Sequence, residues 1–291
     1  MIGRVQYSGV IPISSAAPFT ERVAWLQSRL DAFRKKLSVD TPSRDDPEFT
    51  NAMGEFLDFI RIYEDTKAFD VLAATGNLAE YRSVFGPAVL RFIESIESRL
   101  FSELMSKQSP RADKMSTLLG ENRWGAYNGM QETFRLFDHS SCRRFLLIGC
   151  GPVPDSLFYL HDNTEVESIV GVDKNAEAVR MANLLVAKYK LGKRIRIEEN
   201  DACEIDCRDY DIICCSAFIT PRRKSLARIV STAKPGSMVI VRDPAFMGTL
   251  LFERMLEAIP PQLELLAESP TARGKFMLKY HIFRVVTELA D

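Results

Sequence analysis

From Arg144 onward the chain is written in short β-branched apolar runs separated by stretches of helical period: FLLIG, SIVGVD, RIRIEEND, DIICCSAFI and SMVIVRD, then LELLAE and KYHIFRVV. Strands that alternate with helices need crossover connections, and these are accommodated by a largely parallel sheet covered on both faces. This half is therefore predicted to be α/β and Rossmann-like, with helices over 155–162, 175–190, 221–233 and 248–258 and a terminal antiparallel pair over 263–287. Before it, from Pro18 to Phe137, apolar residues recur three and four apart in RVAWLQSRLDAFRKKL, MGEFLDFIRIYEDTKAFDVLAA and VLRFIESIESRLFSELM. That spacing predicts an all-helical region, interrupted by the polar connections TPSRDDPEF and SKQSPRADK. The expected organisation is a helical N-terminal cap, residues 1–137, over a Rossmann-like domain, residues 138–291, with the active site between them.

Charge excludes some partners. Lysine plus arginine (38) and aspartate plus glutamate (39) nearly cancel, so no global field gathers nucleic acid or an anionic membrane, and the expected partner is a small-molecule substrate. The basic run PRRKSLAR, residues 221–228, fits a solvated helix start or an attraction for an acidic carrier, and it lacks the interleaved aromatics of a nucleic-acid site. No apolar run approaches the roughly 20 residues that span a bilayer, and MIGRVQYSGVIPISSAAPF lacks the apolar core of an export signal, so a cytoplasmic location is expected. The cysteines at 142, 150, 203, 207, 214 and 215 lie in or beside apolar runs and read as buried thiols. No CxxC or HxxxH spacing accompanies them, so no protein-bound metal is expected.

In open α/β sheets ligands sit beyond the carboxyl ends of the strands. The residues expected there are Gly149, Cys150, Gly151 and Pro152 after the first strand, Asp173 after the second, Asn200, Asp201 and Ala202 after the third, and Ser216, Ala217 and Phe218 after the fourth. The glycines allow backbone to approach a ligand, and Asp173, about twenty residues on, is spaced for a carboxylate that accepts from ribose hydroxyls. The turn is not GxGxxG. Pro152 and Pro154 stand where a pyrophosphate would need backbone N–H groups, which proline lacks, so a nucleoside cofactor is expected rather than a dinucleotide.

The order GCGP, VGVD, ENDA and AKPGSMVIVRD resembles the S-adenosylmethionine (SAM) fold of class I methyltransferases across the C-terminal half. GCGPVPDS is more specifically similar to the GSGPLPxTS turn of the nicotianamine synthase family and its staphylopine synthase relatives. What the resemblance implies is a helical N-terminal region and transfer of the 3-amino-3-carboxypropyl arm of SAM, with release of methylthioadenosine. The related azetidine-2-carboxylate synthases close the arm on its own amine. The segment GENRWGAYNGMQETFRL, residues 120–136, corresponds in chain position to an aromatic, acidic active-site segment of nicotianamine synthases. Arg123, Trp124 and Tyr127 resemble it, but AYNGM replaces the YYDNY core that serves an amine acceptor.

The arm chemistry implied needs a neutral amine aimed at the γ-carbon, an acceptor for its proton and aromatic cover for the sulfonium. Asn122 or Asn128 fits as the group that orients the amine, Tyr159 fits as an aromatic face against the sulfonium, and Tyr127 is a candidate through its resemblance to the active-site segment. Each asparagine fits equally as a cap, and Tyr159 as core. Glu80 and Glu132 are the candidate proton acceptors; either also reads as a solvated face of an amphipathic helix. Arg242 is placed to clamp a carboxylate or to pair with Asp243, and His161 and His281 read as structural. The expected reaction is intramolecular cyclisation of SAM, with transfer of the arm to a small amine or amino acid, ordinary methyl transfer, or SAM binding without catalysis as the alternatives.

Overall fold

The structure is a computed structural model and describes residues 14–38, 46–107, 114–119, 126–270 and 277–286. Its packing divides into two compact units: the described residues of Met1–Ser95, Pro244–Glu253 and Arg273–Met277, and those of Ile96–Asp243, Arg254–Ala272 and Leu278–Asp291.

The first unit is helical for the reasons its spacing gives. In α1 (Phe19–Leu37) the residues Leu26, Leu30, Phe33 and Leu37 fall on one stripe and are buried. In α2 (Pro47–Ile62) the Asp46 carboxylate caps the free N–H groups of Glu48 and Phe49 ahead of a proline at the first helical position. The run expected to be continuous from 53 to 74 breaks in two. Tyr63 is extended, and Asp65 caps Ala68 N–H to begin α3 (Thr66–Ala74), so a local side-chain acceptor overrides the periodic pattern. Helix α4 (Leu78–Ser106) runs through Pro87 and continues from the first unit into the second. The aromatic centre of the first unit packs Phe33 on Phe56 at 5.2 Å and Phe56 on Phe85 at 4.2 Å between ring centroids.

The second unit carries the sheet. Its strands are β1 (Arg144–Ile148), β2 (Ser168–Asp173), β3 (Ile195–Glu199), β4 (Ile212–Cys215), β5 (Met238–Pro244), β6 (Leu263–Glu268) and β7 (Leu278–Val285), in the order β3-β2-β1-β4-β5-β7-β6. β1 pairs in parallel with β2 and with β4, while β6 and β7 are antiparallel, as expected from their sequence. One face of the sheet, with Phe145, Leu147, Ile169 and Ile240, packs with α7 (Asp155–Asn163) and α8 (Ala176–Lys188). The other, with Leu146, Val170, Val239 and Val241, packs with Leu226 and Ile229 of α9 (Arg222–Thr232). The described residues of 96–137, grouped by periodicity with the helical cap, pack in this unit instead. Leu104 of α4, Leu118 and Leu119 of α5 (Met115–Leu119), and Tyr127, Met130 and Phe134 in and just after α6 (Ala126–Thr133) share one core with Phe145 and Leu147.

The helix expected over 248–258 does not form. Phe246–Leu250 is a short 3-10 turn, and the chain beyond it is irregular as far as β6. Two side chains draw backbone groups away from an i→i−4 ladder: Arg82 Nε donates to the Thr249 carbonyl at 3.0 Å, and Met255 N–H donates to the Asp243 carboxylate at 2.6 Å.

Candidate active site

The first chemistry-bearing element is the turn after β1. Gly149 and Gly151 adopt φ of 76° and 66°, the left-handed region open to glycine at little cost. Gly149 and Cys150 N–H both donate to the Val172 carbonyl, at 2.8 and 3.0 Å, and Gly151 N–H donates to Asp173 Oδ2 at 2.9 Å. The turn is thus fastened to the end of β2. The space beside Gly149 belongs to the protein: a Cβ there would meet Ile219 Cγ2 at 2.6 Å and Ser216 Cβ at 3.0 Å, so this glycine lets β1 and the end of β4 close together. Burial pushes the Cys150 thiol well up, reinforced by the Asp173 and Glu97 charges, so it is a neutral packing group.

Asp173 Oδ1 accepts from Asn175 N–H at 3.0 Å. Each carboxylate oxygen therefore holds one backbone amide and keeps lone pairs for a further donor, which fits a ribose hydroxyl. Asp201 sits at the end of β3, where the Cys203 N–H donates to it at 2.7 Å and lowers its pKa; Ala202 beside it is buried. Ser216 is buried at the end of β4, its N–H bonded to the Ile148 carbonyl at 3.0 Å. The expected strand-end set is therefore gathered at the carboxyl edge of one sheet. Pro152 follows the turn without an N–H to offer, and Pro154 leads into α7.

The aromatic candidates occupy a network beneath this edge. Tyr127 OH donates to Asp162 Oδ2 at 3.0 Å and accepts from Asn163 Nδ2 at 2.9 Å, while the same Asp162 carboxylate accepts from Met115 and Ser116 N–H at 2.9 and 2.8 Å. Burial raises the Tyr127 hydroxyl, and it is a structural donor tying α5 and α6 to α7. Tyr159 is buried, edge-on to the Tyr127 ring at 5.3 Å and near Phe134 at 6.0 Å, in the core position open to it from sequence. Asn128 and Glu132 are on the exposed side of α6. Asn122, with Arg123 and Trp124, lies outside the described residues. Glu80 belongs to the first unit, exposed and ion-paired with Arg34.

The carboxylate that meets the glycine turn is one the sequence reading missed. Glu97, half-buried on α4, puts Oε1 3.2 Å from where a Cβ on Gly151 would stand. Its signal was present: Glu97 shares a three-and-four spacing with Leu100, Phe101 and Leu104, which pack in the sheet-side core, so it is a charge on an apolar stripe. The basic run also reads differently in three dimensions. Arg222 is buried against Asp243, Arg223 pairs with Glu257, and Arg228 donates to the carbonyls of Ile205 and Glu204, so the run braces the fold. Asp243 is thereby taken by Arg222, while Arg242 donates to Ser156 Oγ.

The six cysteines are free thiols, five of them buried. Among the described residues no cluster of three His, Cys, Asp or Glu side chains is placed to hold a metal ion, and no helix is long and apolar enough to cross a membrane.

A parallel sheet with this strand order, an antiparallel β7, and a glycine turn after β1 fastened to an acidic β2 end define the Rossmann-like fold of class I methyltransferases, here with an added N-terminal helical region. Among solved structures the chain has the fold of the nicotianamine synthase MtNAS. It matches MtNAS in complex with MTA and tNA at a TM-score of 0.70 and 14% identity, over 94% of this chain and 100% of that one. A glutamate-to-glutamine mutant of MtNAS matches at 0.68, and the same mutant in complex with S-adenosylmethionine at 0.57, each at 14% identity. No family model matches the sequence, and no curated protein matches it.

Proposed function

We propose that this protein binds SAM at the strand-end site and breaks the bond between its sulfur and the γ-carbon of the aminocarboxypropyl arm, releasing methylthioadenosine as the arm closes to azetidine-2-carboxylic acid. The observation that carries the reading is Glu97, a half-buried carboxylate against the glycine turn. The fold shared with MtNAS, seen with MTA and with SAM, supports the choice of ligand. Asp173, with lone pairs to spare, supports a ribose at the end of β2.

In this reading the glycine turn and Asp173 hold the nucleoside, and Glu97 takes a proton from the ammonium of the arm. The freed amine nitrogen forms a bond to the γ-carbon, and the electron pair of the breaking C–S bond returns to sulfur, which leaves as a neutral thioether. Holding the amine in line with that bond is the protein's main contribution, since near-attack placement is worth about 7–11 kcal/mol. The replacement of the acceptor-side aromatic and acidic core by AYNGM supports closure over transfer.

The test is incubation with SAM alone, with products resolved by mass spectrometry against a protein-free control. Methylthioadenosine with azetidine-2-carboxylate is the expected result. Methylthioadenosine that appears only when an amine or amino acid is supplied would replace closure by arm transfer, S-adenosylhomocysteine would mean methyl transfer, and saturable binding with no product from any acceptor would mean a non-catalytic SAM protein.

A further inference from the structure

Two arginines are buried side by side in the second unit, and they differ in how their charge is met. Arg222, 3% exposed, donates to the carbonyls of Ala217 and Arg242 and pairs with the Asp243 carboxylate at 3.1 Å. Arg242, 5% exposed, donates to Ser156 Oγ at 3.0 Å and covers the Tyr280 ring at 5.7 Å from its centroid. Its Nε, like that of Arg222, is buried without a hydrogen-bond partner, and unlike Arg222 it has, among the described residues, no carboxylate oxygen within 4.0 Å of the guanidinium. A guanidinium removed from water and left without a counter-charge is strongly destabilising, so buried cations are ordinarily accompanied by an anion.

No group in hydrogen-bond contact supplies that anion. Burial raises both the Cys214 thiol and the Tyr280 phenol, which leaves them neutral. The Asp155 carboxylate, in the first turn of α7, acts on Arg242 through space and favours its charged form, one of its oxygens accepting from Tyr127 N–H at 3.2 Å. Position then says where a directly bonded anion comes from. Arg242 stands near the carboxyl end of β5, in the row of strand ends that includes Gly149 and Ser216, and Ser156 is in the first turn of α7, directly after the glycine turn. An anion at this corner also meets the N-terminal end of α7, whose dipole favours negative charge.

We propose that Arg242, oriented by Ser156 and Tyr280, binds the carboxylate of the aminocarboxypropyl arm of SAM. The assignment rests on the proposed use of SAM. The arm carboxylate is the one anionic group of that molecule, and the flat guanidinium fork matches a carboxylate in a way a lysine does not. Glu97 at the glycine turn and Arg242 at the end of β5 then hold opposite charges of the same amino-acid terminus.

Equilibrium binding tests this without turnover. SAM, decarboxylated SAM and methylthioadenosine are titrated against the wild type, Arg242→Gln and Ser156→Ala. The wild type is expected to prefer SAM over its decarboxylated form by roughly ten- to a hundredfold, the range of hydrogen bonds to charged groups. Arg242→Gln is expected to abolish that preference and Ser156→Ala to reduce it, both keeping wild-type affinity for methylthioadenosine, which has no arm and reports that the site is folded. A wild type that binds SAM and decarboxylated SAM equally overturns the assignment whether or not Arg242→Gln folds, as does an Arg242→Gln protein that keeps the preference. A wild type that binds none of the three nucleosides overturns both this assignment and the SAM reading.

Discussion

The Asp162 carboxylate holds together the helices beneath the site, and replacing it by asparagine has a calculable consequence. Its side chain is fully buried, with Met115 N–H, Ser116 N–H and Tyr127 OH donating at 2.8 to 3.0 Å and His161 Nδ1 lying 3.5 Å away. An amide keeps one acceptor oxygen but turns an NH2 toward a donor, so at least one charge-assisted bond is lost and another weakened. At about 1.5–3 kcal/mol for each hydrogen bond to a charged group, Asp162→Asn should cost roughly 3 kcal/mol at neutral pH. The pH dependence has a fixed sign. Burial by itself would raise the Asp162 pKa, but the nearby His161 and the bonds from Met115, Ser116 and Tyr127 outweigh it, and the net shift is downward. A carboxyl lowered in the folded state contributes stability above its unfolded pKa of about 3.9 and loses it as pH falls through the folded value. Urea unfolding followed by circular dichroism at pH 7 and at pH 3 should therefore show a large gap between wild type and variant that narrows on acidification. A gap at pH 7 below about 1 kcal/mol, or one that is the same at both pH values, would refute the reasoning.

Gly129→Ala should destabilise the protein even though alanine is the better helix former by about 1 kcal/mol, because the new Cβ would meet Tyr280 Oη at 2.4 Å; thermal melting should show the loss, with partial recovery in combination with Tyr280→Phe. Asp243→Asn removes the charge paired with buried Arg222 and one acceptor for Met255 N–H, and should cost about 3–5 kcal/mol in chemical denaturation. Glu97→Gln should weaken SAM binding by loss of its contact to the arm ammonium and, in single-turnover assays at saturating SAM, lower the rate of methylthioadenosine release by roughly a hundredfold or more, as for loss of a proton-transferring group.

Hydrophobic period was enough to read the sheet. SIVGVD and DIICCSAFI are too short and too β-branched to be helices, and their alternation with helical stretches left a parallel sheet as the arrangement that satisfies every backbone group. The strand-end positions followed from that same order, which is why Gly149, Asp173, Asp201 and Ser216 could be named in advance. The segment 248–258 misled because its apolar spacing is helical, while the competing acceptors and donors, Asp243 and Arg82, are remote in sequence. The same limit separates Glu80 from Glu97. Both are glutamates on one long helix, and only the packing of Leu100 and Leu104 against the sheet turns one of them toward the glycine turn. Tyr127 and Arg222 show the converse: an apparent site aromatic and an apparent surface charge are consumed by Asp162 and Asp243. The sequence by itself determined the alternation of strands and helices and hence a largely parallel sheet, its terminal antiparallel pair and the turn after β1. Only the tertiary structure decided which charges meet which partners, because electrostatic partnership depends on distance in space and burial rather than on separation along the chain.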